Sequence, residues 1–186
     1  MIGYAFCGSF CTLSESFSEF ERLCRSGEEV VPIMSEAVYS TDTRFHKAED
    51  FRERVRNTAK KEIIHTIVDA EPLGFSMRLD YLIIAPCTGN TLAKMANGVT
   101  DTAVTMAAKA HLRCDGGLLI ALASNDALSA NLKNLSVMLS RKSVYMLPMR
   151  QDSPLGKPHS LVADFSLMSE AFDAMKNKRQ IRPLFI

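Results

Sequence analysis

Short apolar runs alternate along the chain with longer stretches in which apolar residues recur every three or four positions. Ile2–Cys7, Val30–Met34, Ile63–Val68, Tyr81–Ala85, Leu118–Ala123 and Val144–Leu147 are compact, almost wholly apolar and flanked by polar or turn-forming residues, which predicts six strands. Between them, Phe17, Phe20, Leu23 and Cys24 form one helical stripe, and Ala48, Phe51, Val55 and Ala59 another. Further helices are predicted over Thr88–Ala96, Thr102–Leu112, Asp126–Leu139 and Phe165–Met175. Thr12 and Glu15 have the spacing of a capping box at the start of the first helix, and Gly27 is placed to stop it. Pro32 lacks an N–H and predicts a bulge or a short ladder in the second strand, and Pro86 is expected to end the fourth.

Strands that alternate with helices call for a parallel sheet covered on both faces. Right-handed crossovers then give a doubly wound, Rossmann-like α/β fold, with residues 1–186 as one domain. Ligands of such sheets bind outside the carboxyl ends of the strands, where the strand order reverses. The loops expected there are Gly8–Thr12, Ser35–Thr43, Pro86–Thr91 and Ser124–Asp126, and most are rich in the Ser, Thr, Asn and Gly that hold an anion.

Composition narrows the functional classes. Lys and Arg number 22 and Asp and Glu 21, a net charge of +1, which gives no electrostatic reason to expect nucleic acid or an anionic membrane as partner. Hydrophobic residues are 47% and charged residues 23% of the chain, the mix of a folded globule. No apolar run approaches the ~20 residues of a membrane span, and the first residues lack the basic start of a signal peptide. Cys7, Cys11, Cys24, Cys87 and Cys114 form no metal-ligand pattern, so no metal is expected, and reduced thiols in a cytoplasmic protein are the plain reading.

The loops also limit the nucleotide. A dinucleotide fingerprint G-x-G-x-x-G does not follow the first strand, and no Walker P-loop is present. Ser9 and Ser35, each at a strand end, suit a single phosphate better than a pyrophosphate. The most specific segment is Pro86-Cys87-Thr88-Gly89-Asn90-Thr91, where Thr88 or Asn90 is placed to cap a helix whose N–H groups point into the crevice.

That segment resembles the Pro-Ala-Ser-Ala-Asn-Thr motif of the homo-oligomeric flavin-containing Cys decarboxylases and their flavoprotein relatives. Gly8-Ser9 is similar to that family's first phosphate loop and Met34-Ser35-Glu36-Ala37 to its second. Leu122-Ala123-Ser124-Asn125-Asp126-Ala127-Leu128 stands where the family has Pro-x-Met-Asn-x-x-Met, and retains the Asn. A longer resemblance, to the family of dipicolinate synthase B subunits, runs through Pro32–Phe45, Ile64–Val68, Ala85–Gly98 and Ser160–Asp164.

The resemblance implies FMN as cofactor, held by Gly8, Ser9, Phe10, Ser35, Cys87, Thr88, Gly89, Asn90 and Asn125, with Asn125 toward the reacting end. It also implies an A subunit as partner, a cyclic dicarboxylate at the dihydrodipicolinate level as substrate, oxidation to dipicolinate during sporulation in the mother-cell cytoplasm, and a trimer-based homo-oligomer. The decarboxylases carry a catalytic His in a His-Ile-x-Leu setting, whereas Ala70-Glu71-Pro72-Leu73-Gly74 has none, which argues against decarboxylation of a peptidyl cysteine. A non-catalytic scaffold and an FMN-dependent decarboxylase are the alternatives.

No residue is assigned to catalysis; His65 and Asn125 are the nearest candidates, and a structural role for His65 competes with general acid–base chemistry. His46 and His159 are expected at the surface. Lys109, His111 and Arg113 cluster near a helix C-terminus, where they either complement the dipole or grip a carboxylate. Cys87 either packs in the core or, at a helix start, acquires a lowered pKa.

Overall fold

The computed structural model describes residues 1–186. Strand β1 (Ile2–Phe6) leads through a 3₁₀ turn (Phe10–Thr12) into helix α1 (Leu13–Arg25), and β2 (Val30–Met34) into α2 (Glu36–Ser40), α3 (Ala48–Ala59) and the short α4 (Ile67–Ala70). Strand β3 (Tyr81–Thr88) is followed by α5 (Gly89–Ala96) and α6 (Ala103–Leu112), and β4 (Gly117–Ser124) by α7 (Leu132–Leu139). The short β5 (Val144–Met146), a hairpin of β6 (Met149–Ser153) and β7 (Lys157–Ala163), and α8 (Met168–Lys176) complete the chain.

The sheet runs β2-β1-β3-β4-β7-β6. Strands β1, β2, β3 and β4 are parallel, as the apolar runs predict. The outer edge of β4 is shared: β5 pairs in parallel with Leu118–Ile120, and β7 pairs antiparallel with Ala123 and Ser124. The β6–β7 hairpin is therefore the addition to the expected all-parallel sheet. It escapes the apolar pattern because most of β6 faces water.

Both sheet faces are covered, which explains the continuous apolar character of the central strands. Tyr4, Phe6, Ile83 and Leu119 pack on one face against Phe17 and Phe20 of α1, Phe51 of α3 and Phe172 of α8. Ala5, Ile84, Ile120 and Leu122 pack on the other against Leu92 of α5, Val104 and Ala107 of α6 and Leu135 of α7. Burial of one such Leu or Ile contributes roughly 1.5–3 kcal/mol.

Several local expectations are corrected. Pro32 makes no bulge: β2 pairs with β1 residue for residue, and the missing N–H would have faced the outer edge, where Met34 N–H donates to Ile64 O (2.9 Å). The expected strand Ile63–Val68 reduces to one bridge, Ile33 to Ile64, because Thr66 accepts from Asp69 N–H and starts α4. Pro86 does not end β3; the pairing with β4 breaks after Ile84 and resumes at Cys87. Thr12 forms no capping box, since its hydroxyl turns back to Ser9, 3.0 Å from both the carbonyl and the hydroxyl oxygen. The expected helix start at Asp126 shifts to Leu132, because Asp126–Asn131 form turns.

Candidate functional site

The order β2-β1-β3 places the reversal of strand order between β1 and β3, and the largest carboxyl-end concavity, of about 1240 Å³, opens there. The turn after β1 forms one wall. Ser9 N–H donates to Cys7 O (2.8 Å) and Thr12 N–H to Ser9 O (3.1 Å), so the chain closes tightly into α1. As leading residues of the 3₁₀ turn, Phe10 and Cys11 present N–H groups without intrahelical partners, at the end of the α1 stack where the dipole favours an anion.

The turn after β3 is built differently. Thr88 caps α5, accepting from Thr91 N–H at 3.2 Å, and its hydroxyl donates to Thr91 Oγ1 at 3.2 Å. Thr91 in turn donates to Cys7 Sγ at 3.4 Å, tying α5 to the end of β1. The motif's two threonines therefore hold the frame, and exposed Asn90 is left facing the crevice.

The floor comes from the end of β4. Ser124 Oγ donates to Asp126 Oδ1 at 2.5 Å, and Asn131 Nδ2 donates to both Asp126 oxygens at 2.9 Å. Asn134 donates to Asn131 Oδ1 (2.8 Å) and Asn97 to Asn134 Oδ1 (3.1 Å), so a line of amides runs from the crevice floor to the end of α5. These bonds, Ser124 first and Asn131 second, hold Asp126 below the usual carboxylate range. Gly89 starts α5 on top of this network. A Cβ there would stand 2.4 Å from Ser124 Oγ and 2.7 Å from Asn131 Nδ2, so any side chain would displace this network.

The remaining wall carries Arg44 and Phe45 on one side and Arg150, Asp152, Lys157 and His159 of the hairpin on the other. Arg150 pairs with Asp164 at 3.0 Å and Lys157 with Asp152 at 2.5 Å. Sequence reasoning missed this wall and the Asp126 network. The available signal was Pro154-Leu155-Gly156, a turn between two runs of strand-like length.

Gly8, Ser9, Phe10, Thr88, Gly89, Asn90 and Asn125 all line the crevice. Two residues grouped with them do not. Cys87 is fully buried, and burial pushes its thiol well above the ordinary range, the opposite of activation at a helix start. Ser35 lies beside the first turn rather than in it: its N–H donates to Phe6 O (3.0 Å), and its buried hydroxyl oxygen has no partner. A Cβ on Gly8 would stand 3.3 Å from the Cβ of Ala37, two residues beyond Ser35, so the two turns touch.

The histidines separate. His65 lies outside the crevice, its ring stacked on Tyr39 at 3.7 Å between centroids. His46 is half-buried rather than exposed, packed near Phe10 and Phe51, and burial with the Arg54 charge lowers its pKa. His159 is exposed and faces the crevice. His111 parts from Lys109 and Arg113: it is buried, its Nε2 lies 2.9 Å from Gly117 O, and burial lowers its pKa. No group of His, Cys, Asp and Glu is arranged to hold a metal.

An open α/β sheet with a polar crevice at its switch point defines the class. The chain belongs to the Flavoprotein family, whose model matches residues 2–168. It is 37% identical over 185 residues to the dipicolinate synthase B subunit of Bacillus subtilis, covering 100% of this chain and 92% of that one. The crystal structure of the dipicolinate synthase B subunit from Bacillus halodurans superposes with a TM-score of 0.91 at 36% identity, covering 100% of this chain and 95% of that one. The FMN-dependent cysteine decarboxylase SpaF shares the fold, with a TM-score of 0.69, 17% identity and 95% of each chain covered.

Proposed function

We propose that this chain is an FMN-binding, B-type component of a dipicolinate synthase which, with an A subunit, oxidises a cyclic dicarboxylate at the dihydrodipicolinate level to dipicolinate. The observation that carries the reading is the full-length likeness at 37% identity to a dipicolinate synthase B subunit.

The residues fit FMN. The crevice is at least as large as the roughly 300–1,000 Å³ of a small-molecule site. Its first turn offers the Ser9 hydroxyl and the N–H groups of Phe10 and Cys11, donors suited to a dianionic phosphate. The partnerless buried hydroxyl of Ser35, beside that turn, lacks the acceptor that buried polar groups ordinarily have. Bound there, FMN supplies a two-electron acceptor that protein side chains cannot.

The chain's own part is to bind and orient. Gly89 brings the α5 backbone close to the crevice, Asn90 and Asn125 supply amides along its length, and Asp126 fixes a negative charge at the floor. Arg44, Arg150 and Lys157 stand where substrate carboxylates enter, and the last two must then exchange an acid partner for the substrate. Decarboxylation is the weaker reading, because Pro72 and its neighbours stand where the decarboxylases carry a histidine. The protein works as a trimer-based homo-oligomer in the cytoplasm, and exposed Phe75 (89%) and Val68 (77%) offer apolar surface for the contacts.

The test is the visible spectrum of the purified chain with and without FMN, followed by dipicolinate formation with the A subunit. A flavin spectrum whose bleaching tracks dipicolinate formation supports the reading. Formation that needs a nicotinamide and no flavin overturns it in favour of a scaffold role.

A further inference from the structure

A second cavity, of about 350 Å³, lies behind α6 and shares no residue with the crevice. Its rim carries Lys109 and Arg113 of α6 and Arg141, which follows α7, and no acidic residue lines it. Its floor is apolar, with Met95, Val99 and Leu112. The contrast with the crevice is one of balance, since there Arg44, Arg150 and Lys157 are offset by Glu15, Asp126 and Asp152.

None of the three rim cations makes an ion pair. Arg141 spends one N–H on Ala96 O, at a long 3.4 Å, and the nearby Asp101 is taken by Lys94 at 2.8 Å. Helix C-termini attract cations, which accounts for Lys109 in the last turn of α6, for Arg113 at its C-cap and for Arg141 against the end of α5. It does not account for their convergence on one concavity with an apolar floor. Three like charges around a cavity repel one another unless an anion joins them.

We infer that this cavity binds a small ring-bearing dicarboxylate, the ring against Met95, Val99 and Leu112 and the carboxylates on Lys109, Arg113 and Arg141. The volume lies at the small end of ligand sites, enough for a single ring and too little for a nucleotide. Guanidinium groups pair with carboxylates in a bidentate fork, and two of the three cations are arginines. The apolar floor favours an organic anion over inorganic phosphate.

The inference does not depend on the flavin reading, and its experiment separates the two. Benzene-1,3-dicarboxylate is titrated calorimetrically into the full chain, with and without saturating FMN. The expected result is a Kd below about 1 mM that FMN leaves unchanged. It should rise roughly tenfold or more in Arg113→Ala and again in Lys109→Ala/Arg113→Ala, all measured in an Arg44→Ala/Arg150→Ala background that silences carboxylate binding in the crevice. All the altered side chains are exposed or half-buried, and Arg141→Ala serves as the independent variant if either α6 variant loses helical signal. No binding up to about 10 mM, a ligand about tenfold weaker than the expected bound, overturns the proposal. So does binding untouched by the double variant, or competition by equal concentrations of inorganic phosphate. A fall in sedimentation mass in Lys109→Glu/Arg113→Glu also overturns it, by showing the face to be covered by a second copy of the chain.

Discussion

The turns after β1 and β3 both open onto the crevice and both begin helices, yet they spend their polar groups in opposite ways. After β1, Ser9 keeps a hydroxyl whose outward contact is a distant sulfur, Cys11 Sγ at 3.9 Å, and two leading N–H groups face outward. After β3, Thr88 and Thr91 bond each other and Cys7, and Gly89 sits on Ser124 and Asn131. One turn holds donors in reserve for an anion; the other is a frame that fixes where its helix starts. A motif residue can thus be demanded by the frame without touching a ligand, and the variants below separate the two kinds.

Gly89→Ala should have the largest effect, since the new methyl meets three side chains already bonded to one another. The new methyl meets Ser124 Oγ at 2.4 Å, and the atoms behind it belong to the Asp126 network. Overpacking of this kind costs about 1–3 kcal/mol. Thermal unfolding should show that loss, and flavin titration should show a fall in FMN affinity beyond that of any single-donor variant. Wild-type values in both measurements would mean that α5 slides freely, and the frame description would be wrong.

Ser9→Ala and Ser35→Ala probe the reserved donors. The Ser9 hydroxyl, bonded to a charged phosphate, contributes roughly 1.5–3 kcal/mol, so Ser9→Ala should lose about ten- to hundredfold in FMN affinity. Ser35→Ala, outside the crevice lining, should lose it only if bound phosphate draws the Ser35 hydroxyl to it. Stability without FMN should hardly change, and in Ser35→Ala should rise slightly, because a buried hydroxyl without a partner is removed. Equal FMN affinity in wild type and both variants would place the phosphate elsewhere.

These two turns also show how far the sequence could be read. The apolar runs located β1, β2, β3 and β4, because strands buried on both faces leave an unbroken signature. Gly8, Ser9 and Asn90 were legible because short polar residues at strand ends in such a sheet converge on the crevice. Cys87 was left open between the core and the crevice because its neighbours fix the turn while its own side chain points into the core, and sequence position does not reveal that direction. The hairpin was missed for the converse reason: Arg150, Gln151 and Asp152 are exposed, so β6 has almost no apolar pattern. The bonds around Asp126 were hidden because its partner Asn131 and, behind it, Asn134 follow in a turn and in α7, a chain of amides that no periodicity announces.

Thr88→Ala removes the α5 cap and leaves the donors of the other turn untouched. Loss of an N-cap side chain costs about 1 kcal/mol. Stability should fall by that amount, with FMN affinity within a few-fold of wild type, the reverse of the pattern for Ser9→Ala. A hundredfold loss of affinity with unchanged stability would instead make Thr88 a ligand donor.

The smallest effect belongs to pH, and it tests the frame through Asp126 alone. The bonds from Ser124 and Asn131 favour the ionised carboxylate, so its pKa is lower folded than unfolded. A group with a depressed folded pKa contributes stability above its unfolded pKa, near 4, and loses that contribution as pH falls through the folded value. Asp126→Asn keeps the shape but lacks the charge, and one of its atoms becomes a donor facing other donors. At pH 7 the variant should therefore melt below wild type. As pH falls below about 4 the wild type should lose its advantage, and the two melting curves should converge. A gap that stays constant across that range would mean that the carboxylate is not favoured in its charged form, and that the amide chain behind it holds the α5 start by shape alone.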